Sequence, residues 1–348
     1  MKKRLVFAIP GDLSLPTGGY AYDRRMIEEL GAAGWMVEVL PLGDGFPFPD
    51  ESELGEASRA FAALADATLV LVDGLAFGAM AEIAEREAAR LRLVALVHHP
   101  LALETGLDPA DARVLKESET RALSAARRIV TTSETTARAL EADFAVSPAR
   151  IGVAPPGTEP GPMARGDGEP PLILSVGALI PRKGHDILIA ALARIVDLDW
   201  RCRIVGSAAR DSEHAAGLRH AIERNGLTER IRLVEETVDV RAEMAAADLF
   251  ALATLHEGYG MVFAEAMSQG LPIVGCAVGA VPEVVPHEAG LLVAPGDAAA
   301  LAEALRAMLC DRDLRRSKAA GALSAGARLP DWAGSARLLS RALEEASA

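Results

Sequence analysis

The loop that decides the fold lies in residues 256–272, which read HEGYGMVFAEAMSQGLP. An apolar run at 249–253 precedes it and predicts a short buried strand, and the second half of the quoted stretch predicts a helix that ends at Gly270. Between the two, Gly258 and Gly260 allow a tight loop in which backbone N–H groups and the positive end of the helix point to one place. A ligand can therefore approach the backbone closely at this loop.

Two carboxylates flank the loop. Glu257 lies at its mouth, and Glu265 lies on the helix that follows. Because a carboxylate repels phosphate, we interpret both as acceptors for the hydroxyl groups of a sugar. The alternative is structural: Glu257 would interact with the helix dipole, and Glu265 would lie on a solvated helix face. The glycines, the strand before the loop and the helix stop after it all favour the functional interpretation.

The rest of the chain alternates between apolar strands and amphipathic helices. Continuous apolar strands joined by crossover helices predict parallel sheets of the doubly wound α/β class. The predicted strands are 5–9, 37–42, 68–72, 93–98, 128–132, 151–154, 172–176, 203–205, 231–234, 249–253, 272–276 and 290–293. The predicted helices are 20–33, 75–91, 109–125, 134–144, 186–195, 212–224, 241–247, 261–269 and 298–309.

A stretch rich in proline and glycine interrupts this alternation once. It predicts a linker at 156–171 between two Rossmann-like domains, 1–155 and 172–330. Ligands of open parallel sheets bind outside the carboxyl ends of the strands, so we expect the active site in the cleft between the domains. The tail, 331–348, predicts a helix that either packs back across the linker, anchored by Trp332, or is a plain terminal helix.

Composition limits the functions that the chain can have. Its formal net charge of −13 over 348 residues argues against nucleic-acid binding, which requires a basic surface. The three cysteines, at 202, 276 and 310, lack metal-ligand spacing and are expected to be buried free thiols. The basic start, Met1 to Arg4, and the apolar run 5–9 imitate a signal peptide, but the run is shorter than the roughly seven to fifteen residues that such a region needs. We expect a cytoplasmic protein without membrane spans.

Two loops in the first half carry candidate site residues. Gly18 and Gly19 open the first predicted helix and could bring backbone N–H groups to a diphosphate, with a plain tight turn as the alternative. His98 and His99 follow the fourth predicted strand. We expect His98 to line the cleft, with a buried structural histidine as the alternative. A metal pair is not expected, because no third ligand of suitable spacing is present.

The second half carries a basic loop at the end of its first strand. Arg182 and Lys183 follow Gly177 and stand immediately before a helix, where two cations suit a leaving diphosphate. A solvated turn is the structural alternative. The sequence Asp197-Leu198-Asp199 imitates a metal-binding D-x-D motif, but it precedes a strand and so lies at the wrong end of the sheet. We interpret it as structural.

Taken together, these stretches resemble the retaining glycosyltransferases of family GT4 (glycosyltransferase group 1), which have the GT-B architecture. The resemblance covers essentially the whole chain and is strongest from 172 to 295. Its most specific marks are Gly177 with Arg182-Lys183-Gly184, the pair Glu257 and Glu265, and Gly279-Ala280-Val281-Pro282-Glu283. It implies transfer of a hexose from a nucleotide diphosphate sugar, a UDP sugar in preference to a GDP sugar, to an acceptor hydroxyl with retention of the anomeric configuration.

The resemblance also implies a role for each matched residue. The expected catalytic residues are His98, close to the donor sugar and the acceptor, Arg182 and Lys183 on the donor phosphates, and Glu257 on the sugar hydroxyls. Glu265 would bind the ribose. The remaining donor-binding residues are expected to be Gly18, Gly19, Gly177, Gly258, Tyr259, Gly260, Met261 and Val262.

The resemblance leaves the acceptor undefined. The N-terminal half matches by pattern rather than by motif, and His99 and Glu104 are its candidate acceptor contacts. Ala280 stands where the family commonly has a second glycine. We expect no cofactor and no essential metal, a sugar, a small molecule or a lipid-linked molecule as the acceptor, and at most peripheral membrane contact. The sequence is compatible with a monomer and with a homo-oligomer. The alternative functions are a nucleotide-sugar epimerase or hydrolase on the same architecture, and a non-catalytic nucleotide-sugar binding module.

Overall fold

The fold is described from a computed structural model, which describes residues 3–234 and 239–348. Met1 and Lys2 of the signal-like start therefore lie outside the described residues. The chain divides into two compact units, one formed by the chain up to Gly157 together with Pro330–Ala348, the other by Thr158–Leu329. Each unit contains a six-stranded parallel sheet, so the predicted α/β class is confirmed.

The first unit contains the first half of the strand–helix alternation. Its strands are β1 (Lys3–Pro10), β2 (Trp35–Leu42), β3 (Leu69–Asp73), β4 (Arg92–Val97), β5 (Arg128–Thr131) and β6 (Ile151–Val153). Its helices before the chain enters the second unit are α1 (Gly18–Ala32), α2 (Glu51–Ala62), α3 (Gly74–Phe77), α4 (Ala81–Glu87), α5 (Pro109–Ala125) and α6 (Glu134–Phe144). The strand order is β2-β1-β3-β4-β5-β6. The central strands β3 and β4 are buried because helices cover the sheet, as their unbroken apolar runs require.

The second unit repeats the architecture with a different strand order. Its strands are β7 (Leu172–Val176), β8 (Arg201–Val205), β9 (Ile231–Val234), β10 (Leu249–Leu252), β11 (Ile273–Cys276) and β12 (Gly290–Val293). Its helices are α7 (His185–Ala193), α8 (Ser212–Arg224), α9 (Val240–Ala246), α10 (Met261–Ser268), α11 (Val281–Val284), α12 (Ala298–Cys310) and α13 (Arg312–Gly326). The order is β12-β11-β10-β7-β8-β9, and one apolar core lies on each face of the sheet.

The last helix, α14 (Trp332–Ser347), returns to the first unit. It packs on α1 and on the strands β4, β5 and β6. Trp332 is buried at its start, with its ring edge-to-face against Tyr22 at 6.0 Å and the Arg25 guanidinium 5.4 Å from its ring centroid. Gly157 passes so close that an added Cβ would lie 2.3 Å from the Trp332 backbone nitrogen. The tryptophan therefore anchors the tail on the first unit.

Each sheet reverses its strand order at one point. The reversal lies between β1 and β3 in the first unit and between β7 and β10 in the second. The connections on the two sides of such a point leave in opposite directions, and a crevice forms at the carboxyl ends of the two strands. The loops after β1, β3, β7 and β10 are therefore the places where the fold itself provides a ligand site.

The helices differ from the prediction in two respects. The single predicted helix 75–91 is wrong, because residues 78–80 separate α3 from α4, and Met80 has non-helical backbone angles, φ −126° and ψ 48°. The helices α2 and α13 were not predicted. The start of α2 carries a capping box formed by Asp50 and Glu53, a signal that the prediction did not use. The buried face of α13 includes the cations Arg315 and Lys318, which conceal its apolar pattern.

The segment predicted as a linker lies mostly with the second unit. Asp248 accepts hydrogen bonds from the backbone nitrogens of Gly168 at 2.8 Å and Leu172 at 2.7 Å. The Gln269 side-chain amide donates to the Pro162 carbonyl at 2.7 Å. The structure thus places the division of the chain at Gly157, before most of the proline-rich stretch.

Two smaller expectations concern cysteines and membranes. Cys202 and Cys276 are buried free thiols, but Cys310 is exposed because it is the last residue of α12. Among the described residues, no helix combines the length and the apolar character that crossing a bilayer requires.

Candidate active site

The loop after β7 presents the two predicted cations. Pro181–Lys183 forms a single 3-10 turn, and Gly184 ends it in the left-handed conformation, with φ +63°. An added Cβ on Gly184 would lie 2.0 Å from the Ala253 carbonyl oxygen, so only glycine fits there. At Gly177 an added Cβ would lie 3.2 Å from the Lys183 side-chain carbons. The glycines therefore let the loop pack closely around the lysine stem.

The loop after β10 holds Glu257 against that basic loop. The Thr254 hydroxyl lies 3.0 Å from Glu257 Oε1, and the Leu255 backbone nitrogen donates to the Arg182 carbonyl at 2.8 Å. Arg182 in turn donates from its guanidinium to the His256 carbonyl at 3.0 Å. These bonds join the ends of β7 and β10, which are the two strands at the point of reversal.

Glu257 and Lys183 form the central ion pair. Lys183 Nζ lies 2.5 Å from Glu257 Oε1, and the nearest Arg182 nitrogen lies 4.0 Å from Oε2. Burial alone would raise the pKa of Glu257, which is 7% exposed, but Lys183 and Arg182 hold it below its ordinary value. The carboxylate is therefore charged at neutral pH and fixes the Lys183 ammonium. Among the described residues it is the one hydrogen-bond acceptor of Nζ, so two of the three Nζ donors are available to a ligand.

The start of α10 adds backbone groups to this site. Gly260, with φ +94°, precedes the first helical residue, and an added Cβ there would lie 2.9 Å from the Phe263 ring. Tyr259 is buried, and burial beside Glu283 raises its pKa to about 12, so it stays neutral. Met261 and Val262 are half-buried in the first turn.

Glu265 occupies a different environment on the same helix. It is half-buried, and burial raises its pKa to about 7, against the lowering effect of nearby Arg241. Within the described part of the chain, its carboxylate makes no hydrogen bond or ion pair. The side chain is thus an acceptor whose hydrogen-bonding capacity remains available to a ligand.

The glycine loop before α11 packs against the backbone of Glu257. The Ala280 backbone nitrogen donates to the Glu257 carbonyl at 3.0 Å. Gly279 has φ +52°, and an added Cβ would lie 2.2 Å from that carbonyl oxygen. Ala280 has φ −84°, a conformation open to any residue, so the position where the family commonly has glycine accepts alanine without strain.

The first unit brings His98 together with the predicted glycine loop. The Thr17 side chain caps α1 by accepting from the Tyr20 nitrogen, and Gly18 and Gly19 form the first turn. An added Cβ on Gly19 would lie 3.5 Å from His98 Cδ2. The loops after β1 and β4 therefore meet at the imidazole ring.

Two buried aspartates complete the surroundings of His98. Its Nε2 lies 3.2 Å from Asp23 Oδ1 on α1 and 3.4 Å from Asp73 Oδ2 at the end of β3. Among the described residues, these three form the group whose side-chain types and spacing could hold a metal ion, with ligand atoms within 4.8 Å of one another. Nε2 is hydrogen-bonded to Asp23 and lies within ion-pair distance of Asp73, and these two contacts account for the cluster without an ion.

The remaining predicted residues are not members of these two groups. His99 is half-buried beside His98, and Glu104 is exposed at the end of the following 3-10 turn, where its carboxylate accepts from the Thr105 nitrogen. Asp197 binds Arg306 through two hydrogen bonds of 2.7 and 2.9 Å, which fits the structural interpretation of the D-x-D sequence.

Comparison with known families matches both halves of the chain. Residues 22–161 match the family described as Glycosyltransferase Family 4, and residues 170–311 match the family described as Glycosyl transferases group 1. The chain belongs to the GT4 glycosyltransferases. The two matched segments include every predicted site residue except Gly18 and Gly19.

Curated relatives of this GT4 chain are similar to it over part of their length. An MMP alpha-(1->4)-mannosyltransferase of Mycolicibacterium hassiacum is 30% identical over 64% of this chain and 58% of its own length. A D-inositol 3-phosphate glycosyltransferase of Corynebacterium glutamicum is 33% identical over 51% of this chain and 44% of its own. The matched region thus spans about two fifths to three fifths of these relatives.

Solved structures share the fold over the whole chain. Sucrose-phosphate synthase from Thermosynechococcus elongatus has a TM-score of 0.81 at 21% identity and covers 97% of this chain and 98% of its own. Anabaena HepE in complex with UDP-glucose has a TM-score of 0.79 at 19% identity and covers 98% and 99%. These similarities confirm the GT-B fold class.

Four residues of these two groups in the GT4 chain were not predicted. Asp73 ends β3, and the rule that singled out His98 at the end of β4 could have found it. Thr254 stands between β10 and Glu257, where a hydroxyl is a weak signal. The buried His185 lies under the basic loop, with Nε2 3.2 Å from the Gly177 carbonyl oxygen, and burial lowers its pKa to about 4. Asp23 lies inside a helix, where no local signal marks it.

Proposed function

We propose that this GT4 chain transfers a hexose from a nucleotide diphosphate sugar to an acceptor hydroxyl with retention of the anomeric configuration. The observation that carries the proposal is the Lys183–Glu257 ion pair, with Arg182 beside it, at the strand reversal of the second sheet. A crevice at that position is where sheets of this class bind nucleotides. Fixed cations there suit a diphosphate.

In the proposed complex, the basic loop binds the leaving group. Lys183 and Arg182 donate to the phosphate oxygens, and the backbone at the start of α10 adds N–H groups and the positive end of the helix. Glu257 cannot accept from a phosphate, so it orients Lys183 and accepts from a sugar hydroxyl. Glu265, whose carboxylate is available, accepts from the ribose hydroxyls.

The reaction then needs positioning rather than a protein nucleophile. The bond between the anomeric carbon and the diphosphate oxygen breaks, and the acceptor oxygen bonds to the same face of the sugar. The acceptor proton passes to the departing phosphate oxygen. Arg182 and Lys183 stabilise the negative charge that develops on that oxygen, which is electrostatic catalysis by preorganised groups.

The donor is proposed to carry uracil in preference to guanine. Support comes from Anabaena HepE, a structural neighbour that holds UDP-glucose. We propose a sugar or an inositol phosphate as the acceptor, by similarity to the mannosyltransferase and the D-inositol 3-phosphate glycosyltransferase described above. We propose that no metal is required, because Arg182 and Lys183 supply the positive charge that a metal ion would otherwise bring to the diphosphate.

The experiment that tests the donor is a thermal-unfolding screen against UDP, GDP, ADP and their hexose conjugates, with and without magnesium. A ligand that binds only the folded chain raises its stability by about 2.7 kcal/mol at a concentration one hundred times its Kd. Stabilisation by UDP-hexoses without magnesium is expected. A response to none of the nucleotides would contradict the proposal.

Turnover separates the proposal from its alternatives. Release of UDP that depends on an added acceptor is expected of a transferase. UDP release or sugar interconversion at the same rate without an acceptor would instead identify a hydrolase or an epimerase. Donor binding with no turnover in any acceptor screen would identify a binding module.

A single substitution tests the basic loop. We expect Lys183→Ala to lower kcat/KM by about 10²- to 10³-fold, since it removes a donor that acts on charge developing in the transition state. Lys116→Ala, which removes an exposed lysine on α5, is the control and is expected to keep wild-type rates. Wild-type kcat/KM in Lys183→Ala, with the circular dichroism spectrum unchanged, would show that the donor phosphates bind at another place.

A further inference from the structure

Two carboxylates converge on one nitrogen of His98. Nε2 lies 3.2 Å from Asp23 Oδ1 and 3.4 Å from Asp73 Oδ2. Carboxylates accept hydrogen bonds and do not donate them when charged, so Nε2 carries the proton of the hydrogen bond to Asp23, and Asp73 lies within ion-pair distance of the same nitrogen. The orientation of the ring is fixed by this arrangement.

The aspartates are buried more deeply than the ring that they bind. Asp23 is 0% exposed, and its Oδ2 accepts no hydrogen bond from the residues that the structure describes. Asp73 is 3% exposed. Two buried carboxylates beside a neutral ring would leave negative charge uncompensated, which is costly away from water. A positively charged ring between them lowers that cost.

The electrostatic surroundings agree with this distribution of charge. Burial lowers the pKa of His98, but Asp23 and Asp73 together raise it to about 10, so the ring holds its second proton at neutral pH. Burial raises the pKa of Asp23 to about 7; His98 opposes this rise and the neighbouring Asp73 adds to it. Burial also raises the pKa of Tyr22, the other titratable group against the ring, so its phenol remains a neutral donor to the Ala154 carbonyl.

The packing of the ring leaves its other nitrogen available. Tyr22 meets the imidazole edge-to-face at 5.2 Å between centroids, and Gly19 passes along its Cδ2 edge. The His98 side chain is still 24% exposed. No described residue hydrogen-bonds to Nδ1, which lies on the far side of the ring from the carboxylates.

We propose that Asp23 and Asp73 are positioning residues that act through His98, holding its ring as an imidazolium whose Nδ1–H donates to an oxygen of the bound sugar substrate. The two aspartates fix both the orientation and the charge of the ring. The identity of the oxygen acceptor rests on the function proposed above, whereas the state of the ring does not.

Nuclear magnetic resonance of the full chain, labelled at histidine, tests the state of the ring directly. The His98 signal is assigned by its absence in His98→Gln and followed from pH 5 to pH 10.5. In the wild type we expect a midpoint at least two pH units above that of an ordinary histidine. In Asp23→Asn, which keeps the shape of the side chain and removes its charge, we expect the midpoint to fall by one unit or more.

The control is Asp111→Asn, which changes an exposed carboxylate on α5 and should leave the His98 midpoint in place. A wild-type midpoint near pH 6.5 would overturn the proposal, even if Asp23→Asn failed to fold. An unchanged midpoint in a folded Asp23→Asn would overturn the role of that residue. Loss of the His98 titration on adding equimolar Zn²⁺, with recovery in EDTA, would assign the cluster to a metal instead.

Kinetics then connect the ring to the reaction. With a UDP-hexose donor and an acceptor that supports turnover, we expect Asp23→Asn to lower kcat about tenfold, to leave the donor KM within twofold, and to move the alkaline limb of the rate profile to lower pH. A role limited to stability would leave that limb unchanged, which would overturn the proposal. Absence of turnover in the wild type would contradict the proposed function alone, because the titration of His98 stands without it.

Discussion

Single residues in this chain differ in charge state because of what surrounds them, not because of their type. Glu257 and Glu265 lie in the same loop–helix unit, yet their pKa values shift in opposite directions. Glu257 is more deeply buried, but Lys183 and Arg182 outweigh the cost of its burial. Glu265 has only the more distant effect of Arg241, so burial prevails. Glu257 is therefore charged at neutral pH, whereas Glu265 gains or loses its proton near pH 7.

The raised pKa of Glu265 makes the free energy of unfolding depend on pH. The folded chain holds this proton to about pH 7, whereas the unfolded chain releases it near pH 4.5. Between these values the folded state binds more protons, so stability falls as pH rises. We expect Glu265→Gln to be more stable than the wild type at pH 8, by on the order of 1–2 kcal/mol once solvent screening is allowed for.

Urea denaturation at pH 4 and pH 8 measures this effect. The gain should largely vanish at pH 4, where Glu265 is mostly protonated in both the folded and the unfolded wild type. Glu303→Gln, on an exposed position of α12, should show no gain at either pH. Weaker nucleotide binding by Glu265→Gln is expected alongside the gain, because an amide offers one acceptor oxygen where a carboxylate offers two. Equal stability of wild type and variant at pH 8 would contradict the burial argument.

At the scale of elements, the site depends on how closely two loops approach each other. The turn after β7 meets the end of β10 at Gly184, where the left-handed backbone and the Ala253 carbonyl both exclude a side chain. Gly226 has nearly the same φ, +66°, after α8, but an added Cβ there would meet nothing within 4 Å. A side chain at Gly226 would therefore meet backbone strain alone, whereas a side chain at Gly184 would meet both strain and a steric clash.

We expect Gly226→Ala to cost about 1–2 kcal/mol of stability, the penalty of a left-handed alanine. Gly184→Ala should cost clearly more and should also weaken nucleotide binding, since relief of the clash moves Lys183 away from Glu257. Thermal unfolding of both variants, with and without nucleotide, provides the measurement. Similar losses of stability in the two variants would show that the close approach of the Gly184 loop to the Ala253 carbonyl does not exclude a side chain.

Local pattern predicted these elements well where one face was apolar, and poorly where it was not. The strands and the loop before α10 followed from unbroken apolar runs and from glycines. The helix α13 was missed because its buried face includes Arg315 and Lys318, whose charges conceal the pattern. The pairing of Lys183 with Glu257 was likewise not predicted, since the two residues are neighbours only through the strand order β7-β10. Asp23 could not be found from local sequence, because only the packing of α1 brings it to His98.

At the scale of the whole molecule, the chain leaves its first unit and returns to it with α14. This helix packs on α1 and the central strands, so the first unit is incomplete until the last residues are in place. Leu339 and Leu338 are adjacent on α14, yet Leu339 is fully buried and Leu338 is 39% exposed. They form a matched pair for testing which unit the helix stabilises.

We expect Leu339→Ala to destabilise the first unit by about 2–5 kcal/mol, the usual cost of truncating a buried leucine. Leu338→Ala should change stability by no more than about 0.5 kcal/mol. Hydrogen exchange followed by mass spectrometry separates the units: in Leu339→Ala, exchange should accelerate in α1, β4 and β5, while β7 and β10 keep their protection. If β7 and β10 lost protection to the same extent, the two units would unfold as one, and α14 would stabilise the molecule as a whole rather than the unit on which it packs.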